Sequence, residues 1–166
     1  MTIRPLSPAD KTIAEQFLQA QWGSVVVVSR GILYHPAELP GFIAEERDKV
    51  VGLLTYHLVG DDCEVVTIAA ARPFQGIGTG LLTAVTEMAQ AAGCRRLWLI
   101  TTNDNLPALR FYQRRGFVLV AVYPGALDRS RELKPEIPFI GLDGIPLRDE
   151  IELEMILPLL GPPSGL

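Results

Sequence analysis

The chain has 166 residues, a formal net charge of −4 at pH 7 and an apolar fraction of 48%, which is typical of one globular domain and argues against a disordered chain. The acidic balance argues against a general nucleic-acid-binding protein, which needs a basic surface. No apolar run is long enough to span a bilayer. We therefore predict a cytoplasmic protein with one domain over residues 1–166 and a flexible C-terminal tail from about residue 158.

The first half of the chain predicts a helix followed by an antiparallel β-meander. Ser7 is suited to cap a helix over residues 8–21, with Pro8 at its first position. The segment 23–40 has no regular pattern. Strand-like runs separated by polar turns follow at 42–46, 50–58 and 64–71.

The next segment changes from strand to helix and back to strand. Apolar residues from Leu81 onward recur on one helical face, and Gly93 is suited to end that helix. The run 96–101 is apolar without alternation, which is typical of a parallel strand buried on both faces. Residues 64–101 therefore predict a βαβ unit.

The C-terminal part predicts a short helix, a strand, a long loop and a last strand. Asn105 is suited to cap the helix, and Gly116 follows its end. Residues 117–123 form a strand-like run, and 124–150 are expected to be a long loop. Residues 151–155 alternate as a half-buried final strand does.

The glycine-rich turn 75–80 is a candidate anion site. Glycines allow a close approach of the backbone, and the free N–H groups at a helix N-terminus attract phosphate. A P-loop would need Gly-Lys-Ser/Thr, and a dinucleotide fold would need G-x-G-x-x-G; the turn has neither. A turn whose glycines serve packing alone is the alternative. The two cysteines and two histidines lack metal-ligand spacing, so no metal is expected.

Two motifs together resemble the GNAT superfamily of acyl-CoA-dependent N-acetyltransferases, over about residues 2–123 and the last strand. The first is Gln75-x-x-Gly78-x-Gly80, similar to the family's Arg/Gln-x-x-Gly-x-Gly/Ala. In a second register Gly76 and Gly78 are the signature glycines and Pro73 takes the Arg/Gln position. The second motif, similar to N-x-x-A-x-x-x-Y-x-x-x-G-F, is Asn105-x-x-Ala108-x-x-x-Tyr112-x-x-x-Gly116-Phe117.

The resemblance implies a mixed α/β fold, in which an antiparallel β-meander is followed by a βαβ unit. It also implies that acetyl-CoA binds as cosubstrate in a cleft where strands 64–71 and 96–101 splay apart. The residues implied to contact acetyl-CoA are Ile68 through its backbone, Gln75, Gly76, Ile77, Gly78, Thr79, Gly80 and Asn105.

The resemblance further implies two catalytic groups. Glu64 lies at a recurrent position of the base that deprotonates the acceptor amine, and Glu45 or Glu46 is the alternative, of which only one can face the cleft. Tyr112 matches the family's general acid, which protonates the departing CoA sulfur. The alternative for Tyr112 is a purely structural core aromatic.

The implied function is transfer of an acetyl group from acetyl-CoA to a primary amine of a small molecule or peptide. Trp22, residues 23–40 and residues 124–150 are expected to surround the acceptor. The competing hypothesis is a catalytically silent acyl-CoA-binding module with a regulatory role. No nucleic-acid or membrane partner is expected, and a homodimer is compatible with the resemblance because dimers are common in the family.

Overall fold

A seven-stranded mixed sheet organises residues 1–159, which are the part of the chain that the computed structural model describes. The strands are β1 Thr2–Pro5, β2 Val27–Ser29, β3 Ile32–Tyr34, β4 Gly41–Glu46, β5 Lys49–Val59, β6 Asp62–Ala70, β7 Arg96–Thr102, β8 Val118–Tyr123 and β9 Glu150–Ile156. Their order in the sheet is β1-β4-β5-β6-β7-β9-β8, and β2 and β3 form a separate hairpin. The α-helices are α1 Lys11–Trp22, α2 Ile77–Ala91, α3 Leu106–Gln113 and α4 Ala126–Leu133.

The predicted meander and βαβ unit are confirmed. Strands β4, β5 and β6 pair antiparallel in sequence order, and α2 then leads to β7, which pairs parallel with β6. Helix α2 buries Leu81, Val85 and Ala89 completely against the sheet. A Cβ added to Gly52 of β5 would lie 2.5 Å from Cγ2 of Ile77, so the absent side chain permits this close approach of helix and sheet.

Helix α1 covers the opposite face of the sheet. Its residues Ala14, Phe17 and Leu18 form a second cluster with Leu53 of β5 and Ala69 of β6. The predicted helix over 8–21 is present, except that Pro8–Asp10 form a 3-10 turn and the α-helix begins at Lys11. The sheet therefore has α2 packed on one face and α1 on the other, which is a mixed α/β architecture.

The last strand, β9, lies between β7 and β8 and pairs antiparallel with both. The alternating run predicted over 151–155 is thus a strand inside the sheet.

The expectation that 96–101 is buried on both faces is wrong. Leu97 and Leu99 are buried towards α2, whereas Arg96 and Trp98 lie half-buried on the other face. That face is covered by charged pairs of Arg96 with Glu152 and Glu154, which leaves it partly open to water.

Two segments that the sequence left irregular contain regular structure. In 23–40, β2 and β3 are joined by Arg30 and Gly31, both with positive φ (48° and 75°), which suits a two-residue hairpin turn. In 124–150, the expected long loop contains α4. Arg131 of α4 donates to the carbonyls of Pro138 (2.8 Å) and Leu147 (2.6 Å) and so anchors the rest of that segment.

The expected C-terminal tail lies mainly beyond the described part of the chain, because residues 160–166 are outside it. Just before that point, Leu157 is buried and the N–H of Leu159 donates to Gln90 at 2.8 Å. Within residues 1–159 no helix combines the length and apolar character needed to cross a membrane.

Arg4 of β1 ties the start of the chain to the sheet. Its guanidinium donates to both carboxylate oxygens of Asp10 (2.8 and 3.0 Å) and to Glu45 of β4 (3.1 and 3.0 Å). The backbone N–H of Ser7 also donates to Asp10, at 2.7 Å. These donors favour the ionised carboxylate, with Arg4 the main cause, and hold the pKa of Asp10 far below its usual range.

We predict that Asp10→Asn lowers the free energy of unfolding by about 1.5–3 kcal/mol at pH 7, the range for hydrogen bonds to charged groups. Because the folded-state pKa of Asp10 is depressed, its contribution is complete above the unfolded-state pKa of about 3.9 and is lost as the pH falls. Urea titrations between pH 7 and 2.5 should therefore show the gap between wild type and variant narrowing below about pH 4.

The matched control is Asp61→Asn, which removes a carboxylate from an exposed pair with Arg95 (61% and 80% side-chain exposure). Exposed pairs of this kind contribute about 0–1 kcal/mol, so this variant should behave like wild type. A pH-independent gap for Asp10→Asn would contradict the ionic role of Asp10.

Candidate functional site

The parallel pairing of β6 and β7 ends before either strand does, and a cleft opens there. The ladder runs from Asp62–Arg96 to Val65–Leu99, although β6 continues to Ala70 and β7 to Thr102. The cleft has a volume of about 590 Å³, and Val66 and Ile68 line one wall while Ile100 and Thr102 line the other. The splay implied for strands 64–71 and 96–101 is therefore present.

The backbone of β6 turns an unpaired edge to this cleft. The N–H of Ala71 donates to Val51 of β5 at 2.8 Å, and hydrogen-bonding directions alternate along an antiparallel strand. Ala69 consequently faces β5, while the backbone groups of Ile68 and Ala70 face the cleft. Ile68, which the sequence singled out for a backbone contact, is thus able to pair with an extended ligand.

The glycine-rich turn forms the N-terminus of α2. Gly76 is the N-cap, with φ 77°, and the first bond of the helix runs from the N–H of Gly80 to the carbonyl of Gly76 at 2.9 Å. The N–H groups of Ile77, Gly78 and Thr79 precede that bond and are the ones that a helix leaves without internal partners. This geometry favours the register in which Gly76 and Gly78 are the signature glycines.

Gln75 and Gly80, the ends of the predicted turn, differ from its centre. Gln75 is exposed, and among residues 1–159 no hydrogen bond fixes its side chain. The N–H of Gly80 is used within the helix. A Cβ on Gly80 would lie 2.6 Å from Cδ1 of Ile3, so packing against β1 accounts for this glycine.

Arg115, which sequence reasoning missed, adds a positive charge to the turn. Its guanidinium donates to the hydroxyl of Thr79 at 2.9 and 2.7 Å and lies 3.7 Å above the ring of Phe111. The ring of Phe111 in turn contacts α2, 3.0 Å from the position of a Cβ on Gly78. The only sequence signal was the basic pair at 114–115; the fold brings it to the turn.

Asn105 and Tyr112 of the second motif both line the cleft. Asn105 caps α3, since its side-chain oxygen accepts from the N–H of Ala108 at 3.2 Å. The ring of Tyr112 packs edge-on against Phe111 and Phe117, with centroids at 5.3 and 5.7 Å, and the residue is 7% exposed. No residue within 1–159 hydrogen-bonds to its hydroxyl, and burial raises the pKa of Tyr112, so the phenol stays protonated. Tyr112 is therefore a core aromatic whose hydroxyl is available at the cleft.

Glu64 lies directly behind the cleft wall. It is 5% exposed and accepts hydrogen bonds from the Ser29 hydroxyl at 2.6 Å and from the Tyr34 hydroxyl at 3.1 Å. Burial raises the pKa of Glu64 above its usual value, and these two hydrogen bonds oppose that shift only in part. Ser29, which lines the cleft, stands between the carboxylate and any ligand.

Tyr34 links Glu64 to His57, the residue directly opposite Glu64 on β5. Burial, and then the charge of Glu64, raise the pKa of Tyr34 to about 12, so this phenol also remains a donor. Its hydroxyl lies 3.4 Å from Nδ1 of His57, which is half-buried. Hydroxyl groups thus connect Glu64 to the cleft on one side and to a histidine on the other.

The alternative bases Glu45 and Glu46 are not at the cleft. Glu45 is bound by Arg4, and Glu46 pairs with Arg72; neither lines the cleft wall. The structure therefore brings only Glu64, of the three carboxylates considered from the sequence, towards the cleft.

Glu150, at the start of β9, is a second buried carboxylate that sequence reasoning missed. It lines the cleft, is 3% exposed and accepts from the backbone N–H and Nη1 of Arg30 at 3.1 and 3.2 Å. Arg30 also stacks 3.4 Å above the ring of Tyr123. The negative charge of Glu150 is thus balanced by the guanidinium of Arg30.

The outer wall of the cleft comes from the segments expected to surround the acceptor. Its residues belong to the end of α1, to β2 and to the segment that contains α4. They are Trp22, Val27, Val28, Leu127, Lys134, Ile137 and Leu147.

Comparisons with known proteins match this geometry. Residues 5–117 match the model of the acetyltransferase (GNAT) family. The chain is 39% identical over 158 residues to the uncharacterized protein YdhI of Bacillus subtilis (strain 168), covering 95% of this chain and 99% of that protein. Among solved structures, an IAA acetyltransferase from Bacillus cereus ATCC 14579 matches with a TM-score of 0.75 and 24% identity, over 94% of this chain and 99% of that one. A GNAT family acetyltransferase from Elizabethkingia anophelis with acetyl-CoA bound matches with a TM-score of 0.66 and 23% identity, over 94% and 97%.

These structures share the overall fold of this chain, a mixed sheet packed against helices. The chain belongs to the GNAT acetyltransferase family, because the family model covers residues 5–117 and the similarity to YdhI extends over nearly its whole length. The resemblance predicted from the two motifs is confirmed.

We predict that Gly78→Val weakens the binding of acetyl-CoA at least tenfold, about 1.4 kcal/mol. The new side chain would fill the space that a phosphate needs beside the free N–H groups. It would also displace Phe111, 3.0 Å from the added Cβ, on which Arg115 stacks. Isothermal titration calorimetry measures the affinity, and a thermal melt shows whether the variant is folded.

Glu87→Val is the control, because it places the same β-branched side chain at an exposed position of the same helix. It should bind acetyl-CoA as wild type does. If folded Gly78→Val keeps wild-type affinity, the N-terminus of α2 is not the phosphate site.

Proposed function

We propose that this protein is an acetyl-CoA-dependent N-acetyltransferase that acts on a primary amine of a small molecule or peptide. The observation that carries the proposal is that a phenol, and a hydroxyl bonded to a buried carboxylate, line one cleft. The unpartnered hydroxyl of Tyr112 and the Ser29–Glu64 pair both meet the space between the splayed strands. An acyl transfer to an amine needs an acid and a base in such an arrangement.

The residues present fit acetyl-CoA. The N–H groups of Ile77, Gly78 and Thr79, with the cation of Arg115 beside them, suit a pyrophosphate. The open backbone edge at Ile68 suits the amides of a pantetheine arm, which can pair as an added strand does. Bound there, acetyl-CoA supplies an acetyl group activated as a thioester.

Ser29 and Glu64 would deprotonate the acceptor amine. A typical alkyl amine is protonated at pH 7 and must lose a proton to become a nucleophile. The Ser29 hydroxyl can take that proton while passing its own to Glu64, 2.6 Å away. The raised pKa of Glu64 makes it a better proton acceptor than an exposed carboxylate.

Tyr112 would act as the general acid that protonates the departing CoA sulfur. Tyr112 keeps its proton because burial raises its pKa, and that proton can move from its hydroxyl to the departing sulfur. A thiol has a pKa of about 8.5, so thiolate is a tolerable leaving group and the assistance is moderate. Water at the cleft mouth can restore the phenol after each turnover.

A regulatory acyl-CoA-binding module is the second hypothesis. It would need the phosphate and pantetheine contacts but neither a buried carboxylate behind a cleft hydroxyl nor an available phenol, so the two groups favour the enzyme. Release of free thiol from acetyl-CoA, measured against a panel of amines, separates the hypotheses. Amine-dependent release establishes the enzyme; tight acetyl-CoA binding without release from any amine establishes the module.

We also propose that the protein acts in the cytoplasm, as both Cys63 and Cys94 are buried free thiols.

We further propose the homodimer considered from the sequence. Strand β8 is at the edge of the sheet and exposes Val118, Val120 and Val122. This supports a dimer because an unpaired edge strand favours pairing between chains.

We predict that Glu64→Gln lowers kcat about 100-fold, within the usual range for loss of a general base, while acetyl-CoA affinity is nearly unchanged. The loss should shrink as the pH rises towards the pKa of the amine, because the free amine then forms without help. Steady-state rates between pH 6 and 10 test this dependence.

Glu46→Gln is the matched control, because it removes a carboxylate that pairs with Arg72 away from the cleft; it should keep the wild-type kcat and pH profile. A pH-independent loss in Glu64→Gln would show that Glu64 only positions Ser29, and full activity would remove it from the mechanism.

We predict that Tyr112→Phe lowers kcat about 10- to 100-fold, at or below the usual range for general-acid catalysis. The melting temperature should barely change, because no residue within 1–159 hydrogen-bonds to the hydroxyl and the ring remains in place. Thiol release and a thermal melt are measured on the same preparation. Tyr34→Phe is the comparison, since it deletes a hydroxyl that does hydrogen-bond, to Glu64, and it should lower the melting temperature. Wild-type turnover by Tyr112→Phe would leave Tyr112 as packing alone.

A further inference from the structure

Three charged side chains line the cleft: Asp104, Lys134 and Glu150. Glu150 has Arg30 as its counter-ion, and Asp104 accepts from the N–H of Leu142 at 2.9 Å and from Thr102. Within residues 1–159 the ammonium of Lys134 donates only to the carbonyl of Val26, at 2.9 Å, and forms no ion pair. Within residues 1–159, Glu150 is therefore the only one of the three with a charged partner, and Lys134 is the only cation among them.

Lys134 lies where an uncompensated cation is costly. It ends α4, is half-buried and shares the outer wall with Trp22, Leu127 and Ile137. Burial lowers the pKa of Lys134, and the exposed Glu136 opposes that shift without pairing with it. Partial burial of an ammonium without a counter-ion is unfavourable, and an anion in the cleft would relieve that cost.

The wall that presents Lys134 is held in place. Arg131, one turn earlier in α4, donates to the carbonyls of Ile137, Pro138 and Leu147 and stacks 4.3 Å from the ring of Phe139. The bond from Lys134 to Val26 then joins this segment to the residues just before β2. The ammonium thus faces the cleft from an ordered support.

We propose that Lys134 binds a carboxylate of the acceptor, so that the substrate is an amine carrying an anionic group at a fixed distance. This inference rests on the proposed function, because it places the reacting amine at Ser29 and Glu64. The acceptor would then span the outer wall, with its amine at one end, its carboxylate at the other and an apolar body between them.

The distance between the amine and the carboxylate of the acceptor can be estimated from the chain that leads into β2. Val26, which holds the ammonium, precedes Ser29 by three residues, and a strand rises about 3.3 Å per residue. The carboxylate would therefore lie roughly 7–10 Å from the amine, allowing for the length of the lysine side chain. In an α-amino acid the two groups are only about 2.5 Å apart, so a long-chain ω-amino acid or a di- or tripeptide fits better.

The test compares ω-amino carboxylates with alkylamines of the same length. The probes are glycine, 4-aminobutyrate, 6-aminohexanoate and 8-aminooctanoate, with hexylamine as the reference that has the same chain length as 6-aminohexanoate but no carboxylate. Wild type should acetylate 6-aminohexanoate with a higher kcat/KM than glycine. In Lys134→Met, the ratio of kcat/KM for 6-aminohexanoate over hexylamine should fall at least tenfold, and Lys134→Arg should retain most of it.

Lys11→Met is the control, because Lys11 pairs with Glu38 and does not line the cleft; it should leave that ratio unchanged. Calorimetric binding of 6-aminohexanoate and hexylamine gives a second measurement that needs no turnover. An unchanged ratio and unchanged affinities in folded Lys134→Met overturn the assignment, as does a wild type that neither binds nor acetylates any of the carboxylates. Lys134-dependent binding without thiol release from any amine would instead overturn the proposed acetyl transfer.

Discussion

The site depends on the point at which two parallel strands stop pairing. If the ladder of β6 and β7 continued beyond Val65–Leu99, the backbone at Ile68 would be satisfied within the sheet and no cleft would exist. Because it stops, a strand edge inside the protein remains open to an extended ligand. The crossover helix α2 begins seven residues after β6 ends, so its free N–H groups lie at the same end of the sheet as that open edge.

Two buried carboxylates near the cleft, Glu64 of β6 and Glu150 of β9, are stabilised differently by the fold. Glu150 is neutralised by the guanidinium of Arg30, whereas Glu64 has only the neutral donors Ser29 and Tyr34. Neutral donors offset burial only in part, so the pKa of Glu64 stays raised. The carboxylate without a counter-ion is the one suited to exchanging a proton, and the paired one fixes the wall beside it.

Local patterns predict much of this fold and part of the site. The run of strand-like segments predicts the meander, the helical spacing of apolar residues predicts α2, and the cap at Asn105 predicts α3. Each of these patterns depends only on residues that are neighbours in the sequence. The partners at the cleft depend on distant contacts: Ser29 meets Glu64 across 35 positions and Arg30 meets Glu150 across 120. The position of β9 between β7 and β8, which delivers Glu150, likewise has no local signal. The roles of Glu64 and Tyr112 stay predictions.

The two halves of the cleft come from different parts of the chain. The groups suited to acetyl-CoA, from Ile68 to Tyr112, lie within the region that matches the family model, residues 5–117. Much of the outer wall, from Leu127 to Glu150, lies after it, on a segment ordered by Arg131 and α4. A shared cosubstrate can be bound by a shared framework, whereas each acceptor needs its own wall. In the function we propose, residues 126–150 therefore select the amine, and Lys134, which forms no ion pair within residues 1–159, is the cation that a carboxylate of the acceptor would complement.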